Sequence, residues 1–143
     1  MKNYLLVCIS TSDSEWLVKF VKDIILPKDW SVIVTPHPKI DKDFLQNLIE
    51  LNWGHLDVII DLQNSTIEIL PYVKLLLCGM LGSAFESVIW GVRSVRAMPL
   101  RIFPPQENDP FVPEFHSGLE FNSWFRTNIN NLSKNSREEW MDQ

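Results

Sequence analysis

Tyr4-Leu5-Leu6-Val7-Cys8-Ile9 runs into the polar stretch Ser10-Thr11-Ser12-Asp13-Ser14, and the apolar residues from Trp16 to Leu26 then recur at helical spacing. An apolar run, a polar turn and an amphipathic stretch in that order predict a β-strand feeding an α-helix. The order then repeats. Ser31 to Val34 reads as a second strand, Phe44 to Trp53 as a second helix, and Val58 to Leu62 as a third strand. Strands that alternate with helices lie parallel, with the helices on the faces of the sheet. The chain is therefore read as α/β. The expected architecture is a three-layer sandwich with a mostly parallel open sheet of about four or five strands, Rossmann-like or flavodoxin-like in topology.

Local signals refine these elements. Ser12, Asp13 or Ser14 can cap the first helix, and Glu15 adds negative charge at its positive end. Trp16, Leu17, Phe20, Val21, Ile24 and Ile25 form its apolar face, and Pro27 stops it. Thr35-Pro36-His37-Pro38 reads as an extended loop, because proline restricts the residue before it as well as itself. Asp41 or Asp43 can cap the second helix, and Gly54 is placed at its end. Val58-Ile59-Ile60 is continuously apolar, the pattern of a central strand covered on both faces.

Gln63 to Thr66 reads as a polar loop, with a helical stretch from Ile67 to Leu70 at Pro71. Leu75 to Phe85 contains no charged residue and is read as a buried helix. It is too short for a bilayer span, which takes about twenty apolar residues. Ser87 to Val92 is expected to be a fourth strand, Leu100 to Phe103 a short edge strand, and Leu119 to Ile129 a terminal helix. Residues 1–129 form one expected domain, and 130–143 a partly ordered polar extension.

Hydrophobic residues make up 45% of the 143, enough for a sizeable core, and the formal net charge is −5. That charge disfavours contact with a nucleic-acid backbone, so neither nucleic acid nor membrane is expected as a partner. Cys8 and Cys78 fall inside apolar runs and read as buried thiols in a reducing compartment, the cytoplasm. His37, His55 and His116 share no ligand spacing, so no metal site and no cofactor are expected.

Open parallel sheets bind ligands beyond the carboxyl ends of their strands. Ser10, Thr11, Ser12 and Asp13 occupy such an end and lead into a helix, where backbone N–H groups and hydroxyls can receive an anion. Capping alone explains the same residues. No glycine-rich dinucleotide fingerprint or phosphate loop is present, and Gly82-Ser83-Ala84 lacks the nucleophile-elbow pattern. Asp61 follows the third strand and can contact a ligand or simply bond to its own loop. Arg93 and Arg96, with Arg101, form a basic cluster able to clamp an anion or balance nearby acids.

Val7-Cys8-Ile9-Ser10 followed by Asp13-Ser14-Glu15-Trp16 resembles the opening of a TIR domain. That resemblance implies an α/β fold and either glutamate-dependent cleavage of NAD or pairing with partner domains. It covers only the first strand, turn and helix. Neither Glu68 nor Glu86 matches the glutamate such domains carry, so the family is not assigned.

The absence of an active-site motif points to a non-catalytic interaction or assembly domain. It would pair with a partner protein or a second copy through Leu75, Leu76, Met80 and Phe85, or around Trp124. The alternative is a small enzyme or sensor that binds a nucleotide or other anionic metabolite at the carboxyl ends of the strands.

Overall fold

A computed structural model describes residues 2–11, 14–79, 91–99 and 113–132. Strand β1 (Asn3–Ile9) is followed by α1 (Ser14–Lys22), β2 (Trp30–Pro36), α2 (Lys42–Glu50) and β3 (Val58–Ile60). Next come α3 (Thr66–Ile69), continued by a 3-10 turn at Leu70–Tyr72, and β4 (Leu75–Cys78). After these lie β5 (Arg93–Ala97), β6 (Glu114–Phe115) and α4 (Gly118–Asn128). Six strands form one sheet in the order β3-β2-β1-β4-β5-β6. Every neighbouring pair is parallel. The α/β, Rossmann-like reading stands, with six strands instead of four or five.

The pleat sends alternate residues to opposite faces. Leu5, Val7, Val32, Val34, Leu75, Leu77 and Val95 meet Leu17, Phe20 and Val21 of α1, Leu48 of α2, and Phe121 and Phe125 of α4. Leu6 and Leu76 point the other way, onto Ile69, Leu70, Val73 and Val92. Helices on both faces make three layers. Leu5, Leu6 and Val7 are completely buried, which identifies β1 as an interior strand. Burial of each such side chain contributes roughly 1.5–3 kcal/mol.

Several sequence expectations are corrected. Leu75 to Cys78 is not a helix but an interior strand, paired with β1 on one side and β5 on the other. A short apolar run has no period that separates a buried strand from a buried helix. Leu75 and Leu76, expected at a subunit contact, are wholly buried inside the sheet and present nothing to a partner. Met80 and Phe85 lie outside the described residues, as do Ser12 and Asp13.

The third strand is at the edge of the sheet, not its centre, and Ile59 is 46% exposed there. The expected strand Ser87–Val92 falls largely outside the described residues. Gly91 sits at φ +71°, and the strand begins only at Arg93. Leu100 to Phe103 is also outside them; the edge strand described here is Glu114–Phe115. Among the described residues no helix is long and apolar enough to cross a membrane.

Helix α1 ends at Lys22, ahead of the Pro27 that the sequence marks as its stop. Buried Asn122 of α4 provides the reason. Its side-chain oxygen accepts from Ile25 N at 2.8 Å, and its Nδ2 donates to the Asp23 carbonyl at 2.9 Å. The Ile25 N–H that a longer helix would use is taken by α4, and the Asp23 carbonyl, whose partner four residues on would be Pro27 with no N–H, finds its donor there too. Nearby, Phe121 meets Phe20 at 6.3 Å, Phe115 at 6.0 Å and Phe125 at 5.6 Å between ring centroids. Phe125 meets Trp30 edge-on at 5.1 Å.

Helix α4 approaches α1 through Gly118, where an added Cβ would stand 2.6 Å from Asp23 Cβ and 2.7 Å from the Phe20 carbonyl oxygen. Gly118→Ala is expected to destabilise the fold by about 1–3 kcal/mol through overpacking. Asn122→Ala is expected to cost a similar amount, about 1–3 kcal/mol, by leaving buried backbone groups unsatisfied. Urea denaturation of each variant checks both; an unchanged midpoint for either refutes that contact.

Candidate functional site

The chain passes from β1 to β2 and β3 on one side of the sheet, then returns to β4, β5 and β6 on the other. Loops on the two sides diverge at such a switch point and leave a crevice at the carboxyl ends. A groove of about 1030 Å³ opens at the carboxyl ends of β1, β2 and β3, on one side of that point. Ser10 and Thr11 enter it after β1, Pro36 and His37 after β2, and Asp61 to Ser65 after β3. Lys42 and Leu45 of α2 and Thr66, Ile67 and Glu68 of α3 complete its walls.

Each wall has a local cause. His37 N donates to the Ile9 carbonyl at 2.8 Å, tying the β2 loop to the end of β1. His37 Nδ1 accepts from Lys39 N at 3.0 Å. Because a backbone N–H can only donate, the ring proton sits on Nε2, leaving that atom as a donor. Asp41 caps α2 by accepting from Phe44 N at 3.0 Å, which brings Lys42 to the groove at the first turn. Ser65 and Glu68 form a reciprocal capping box on α3. Two other histidines are used as ties: the His55 ring donates to the Ile24 carbonyl and His116 Nδ1 to that of Met98. Among the described residues no group of three or more potential ligands could hold a metal ion.

The two carboxylates of the groove are turned toward their own loops. Asp61 accepts from Gln63 N and Asn64 N at 2.9 Å, and from Asn64 Nδ2 at 3.0 Å. The Asn64 side chain, then the Asn64 and Gln63 backbone N–H groups, hold its carboxyl below the usual carboxylate range. Glu68 accepts from Ser65 N at 3.1 Å and Ser65 Oγ at 2.9 Å. At the other end of β3, the Ser31 hydroxyl at 2.5 Å and then Lys2 at 3.3 Å lower Asp57 in the same way.

The structure brings Ser10, Thr11 and Asp61 into one groove. Arg93 and Arg96 are not among its lining residues, because β4 separates β5 from β1. Arg93 opens β5, opposite Leu75 at the start of β4, and its guanidinium lies 5.9 Å from the Trp124 ring centroid. Trp124, expected at a subunit contact, is half-buried and packs against Phe115 at 5.5 Å and Phe121 at 6.1 Å. Sequence reading missed Lys42 and the capping box. The Ser65-x-x-Glu68 spacing was the available signal for the box, whereas Lys42 reaches the groove only through the helix-to-sheet packing.

No family model matches the chain, and no curated protein matches it in sequence. In fold it is similar to the glycosyltransferase of kitacinnamycin, with a TM-score of 0.62 and 16% identity. That match covers 95% of this chain but 37% of the other, so this chain spans little more than a third of that enzyme. It is also similar to the catalytic domain of cholesterol-α-glucosyltransferase from Helicobacter pylori, with a TM-score of 0.58 and 14% identity. Here 99% of each chain is covered. At these identities the likeness shows an α/β Rossmann-like fold. It also corrects the non-catalytic assembly reading, since both neighbours are glycosyltransferases and one is a catalytic domain. The ligand-binding alternative fits better.

The lowered Asp61 pKa has a definite sign in stability. A carboxylate depressed in the fold stabilises it above the ordinary value of 3.8, and that contribution disappears as pH falls through the folded pKa. Asp61→Asn is therefore expected to be less stable than the parent at neutral pH, with the gap closing in acid below 3.8. Thermal melts across pH measure this; a gap that does not vary with pH overturns the assignment.

Proposed function

We propose that this chain is a ligand-binding domain of an enzyme of the glycosyl-transferring kind, and that its groove receives an anionic, nucleotide-bearing ligand. The groove at the carboxyl ends of β1, β2 and β3, in a sheet shared in fold with two glycosyltransferases, carries this reading. Lys42 supplies positive charge, His37 Nε2–H a directed donor, and the Ser10–Thr11 turn hydroxyls. Such donors suit phosphate oxygens. Asp61 and Glu68, being hydrogen-bonded to their own loops, repel an anion less than unengaged carboxylates would. Apolar Leu62 and Ile67, 56% and 49% exposed, offer a surface for a ring. The reducing compartment expected from its two cysteines supports a cytoplasmic setting.

Titration calorimetry against nucleoside diphosphates and nucleotide-linked sugars is the test. Lys42→Ala is expected to weaken binding at least tenfold, about 1.4 kcal/mol. Arg93→Ala, remote from the groove, is expected to leave the affinity unchanged. No binding across the panel, or binding indifferent to Lys42→Ala, overturns the proposal.

A further inference from the structure

Cys8 and Cys78 are far apart in sequence, yet the register pairs them directly across β1 and β4. Leu6 and Leu76, two rungs earlier, share a cluster, and residues two apart in a strand share a face. Both thiols therefore leave the sheet on the α3 side. Neighbouring strands are about 4.8 Å apart. Disulfides span Cα separations of about 4.4–6.8 Å.

The two sulfurs differ in access. Cys8 is half-buried and lines the groove, with Sγ 3.4 Å from Thr66 Oγ1 and 3.5 Å from Thr35 Oγ1. Cys78 is completely buried, 3.6 Å from the Val95 carbonyl oxygen. An accessible cysteine beside a sheltered second one is the arrangement in which one thiol is attacked and the other resolves the product.

We infer that Cys8 and Cys78 form a thiol–disulfide modification site for low-molecular-weight disulfides, opening at the floor of the groove. The Cys8 thiolate attacks one sulfur of the reagent. A mixed disulfide forms, and the first reagent thiolate leaves and takes up the proton released from Cys8. Cys78, deprotonated in turn, then attacks the Cys8 sulfur. The Cys8–Cys78 bond forms, and the second reagent thiolate leaves with the Cys78 proton. The two protein thiols are oxidised by two electrons, and the reagent disulfide is reduced to two thiols. Cys8 Sγ leans toward Thr35 of β2 and Cys78 Sγ toward the Val95 carbonyl of β5, so both side chains rotate toward each other to form the bond, and the groove floor differs between the two states. This site stands whether or not a nucleotide binds above it.

The test exposes the full chain to excess oxidised glutathione and reads intact mass and alkylatable thiols after unfolding. The parent is expected to lose two hydrogens, keep no glutathione and show no alkylatable thiol. Cys78→Ser is expected to stop at one glutathione adduct, mapped to Cys8. A parent that retains glutathione on Cys8 with Cys78 still alkylatable overturns the proposal, as does one that keeps both thiols. Because the parent alone decides between these outcomes, a variant that folds poorly does not obscure the result.

Discussion

The parallel pairing of β1 with β2 on one side and β4 on the other is the constraint on which the rest depends. It aligns Leu5 with Val32 and Leu75, and Leu6 with Ile33 and Leu76, so each rung feeds one of two cores. A slip of one residue would exchange every inward side chain for its neighbour. Both faces of β1 are covered, so a slip would break both layers at once. The same pairing sets the three loops of the groove side by side, since parallel strands release their loops at one end.

The second fixed relation is the seat of α4. Asn122 takes the Ile25 N–H that would otherwise continue α1 and satisfies the Asp23 carbonyl that Pro27 leaves without a donor, and the phenylalanines around Phe121 hold the helix against α1 and the sheet. Gly118 allows that approach because there is no Cβ to meet Asp23. Arg93 is drawn into this assembly through Trp124, away from the groove. A basic cluster in sequence is thus divided by the pleat: Arg93 and Arg96, three apart in a strand, leave opposite faces.

The groove's chemistry is set by what its acids already bond. Asp61 and Glu68 shape the β3–α3 turn, and the donors facing the groove come from β1, β2 and α2. This division of labour places the groove's acids in its own turns in a chain of net charge −5.

The sequence by itself determined the alternation of strands and helices through Val58, an acidic cap for the second helix at Asp41 or Asp43, which the structure places at Asp41, and a polar turn at the end of the first strand. These are local signals: periodicity, a capping oxygen, a proline. Leu6, Phe20, Leu48 and Leu76 were legible as core residues and are buried, while Cys8, Ile33, Val58 and Ile60 are only partly so. Tertiary structure alone decided that Leu75 to Cys78 is a strand, that Val58-Ile59-Ile60 lies at an edge, and that Lys42 lines the same groove as Ser10 and Thr11. It alone set Cys8 against Cys78. An apolar tetrapeptide satisfies its backbone equally well in a helix or between two strands. Which neighbour supplies the hydrogen bonds is a property of the whole sheet, not of the segment.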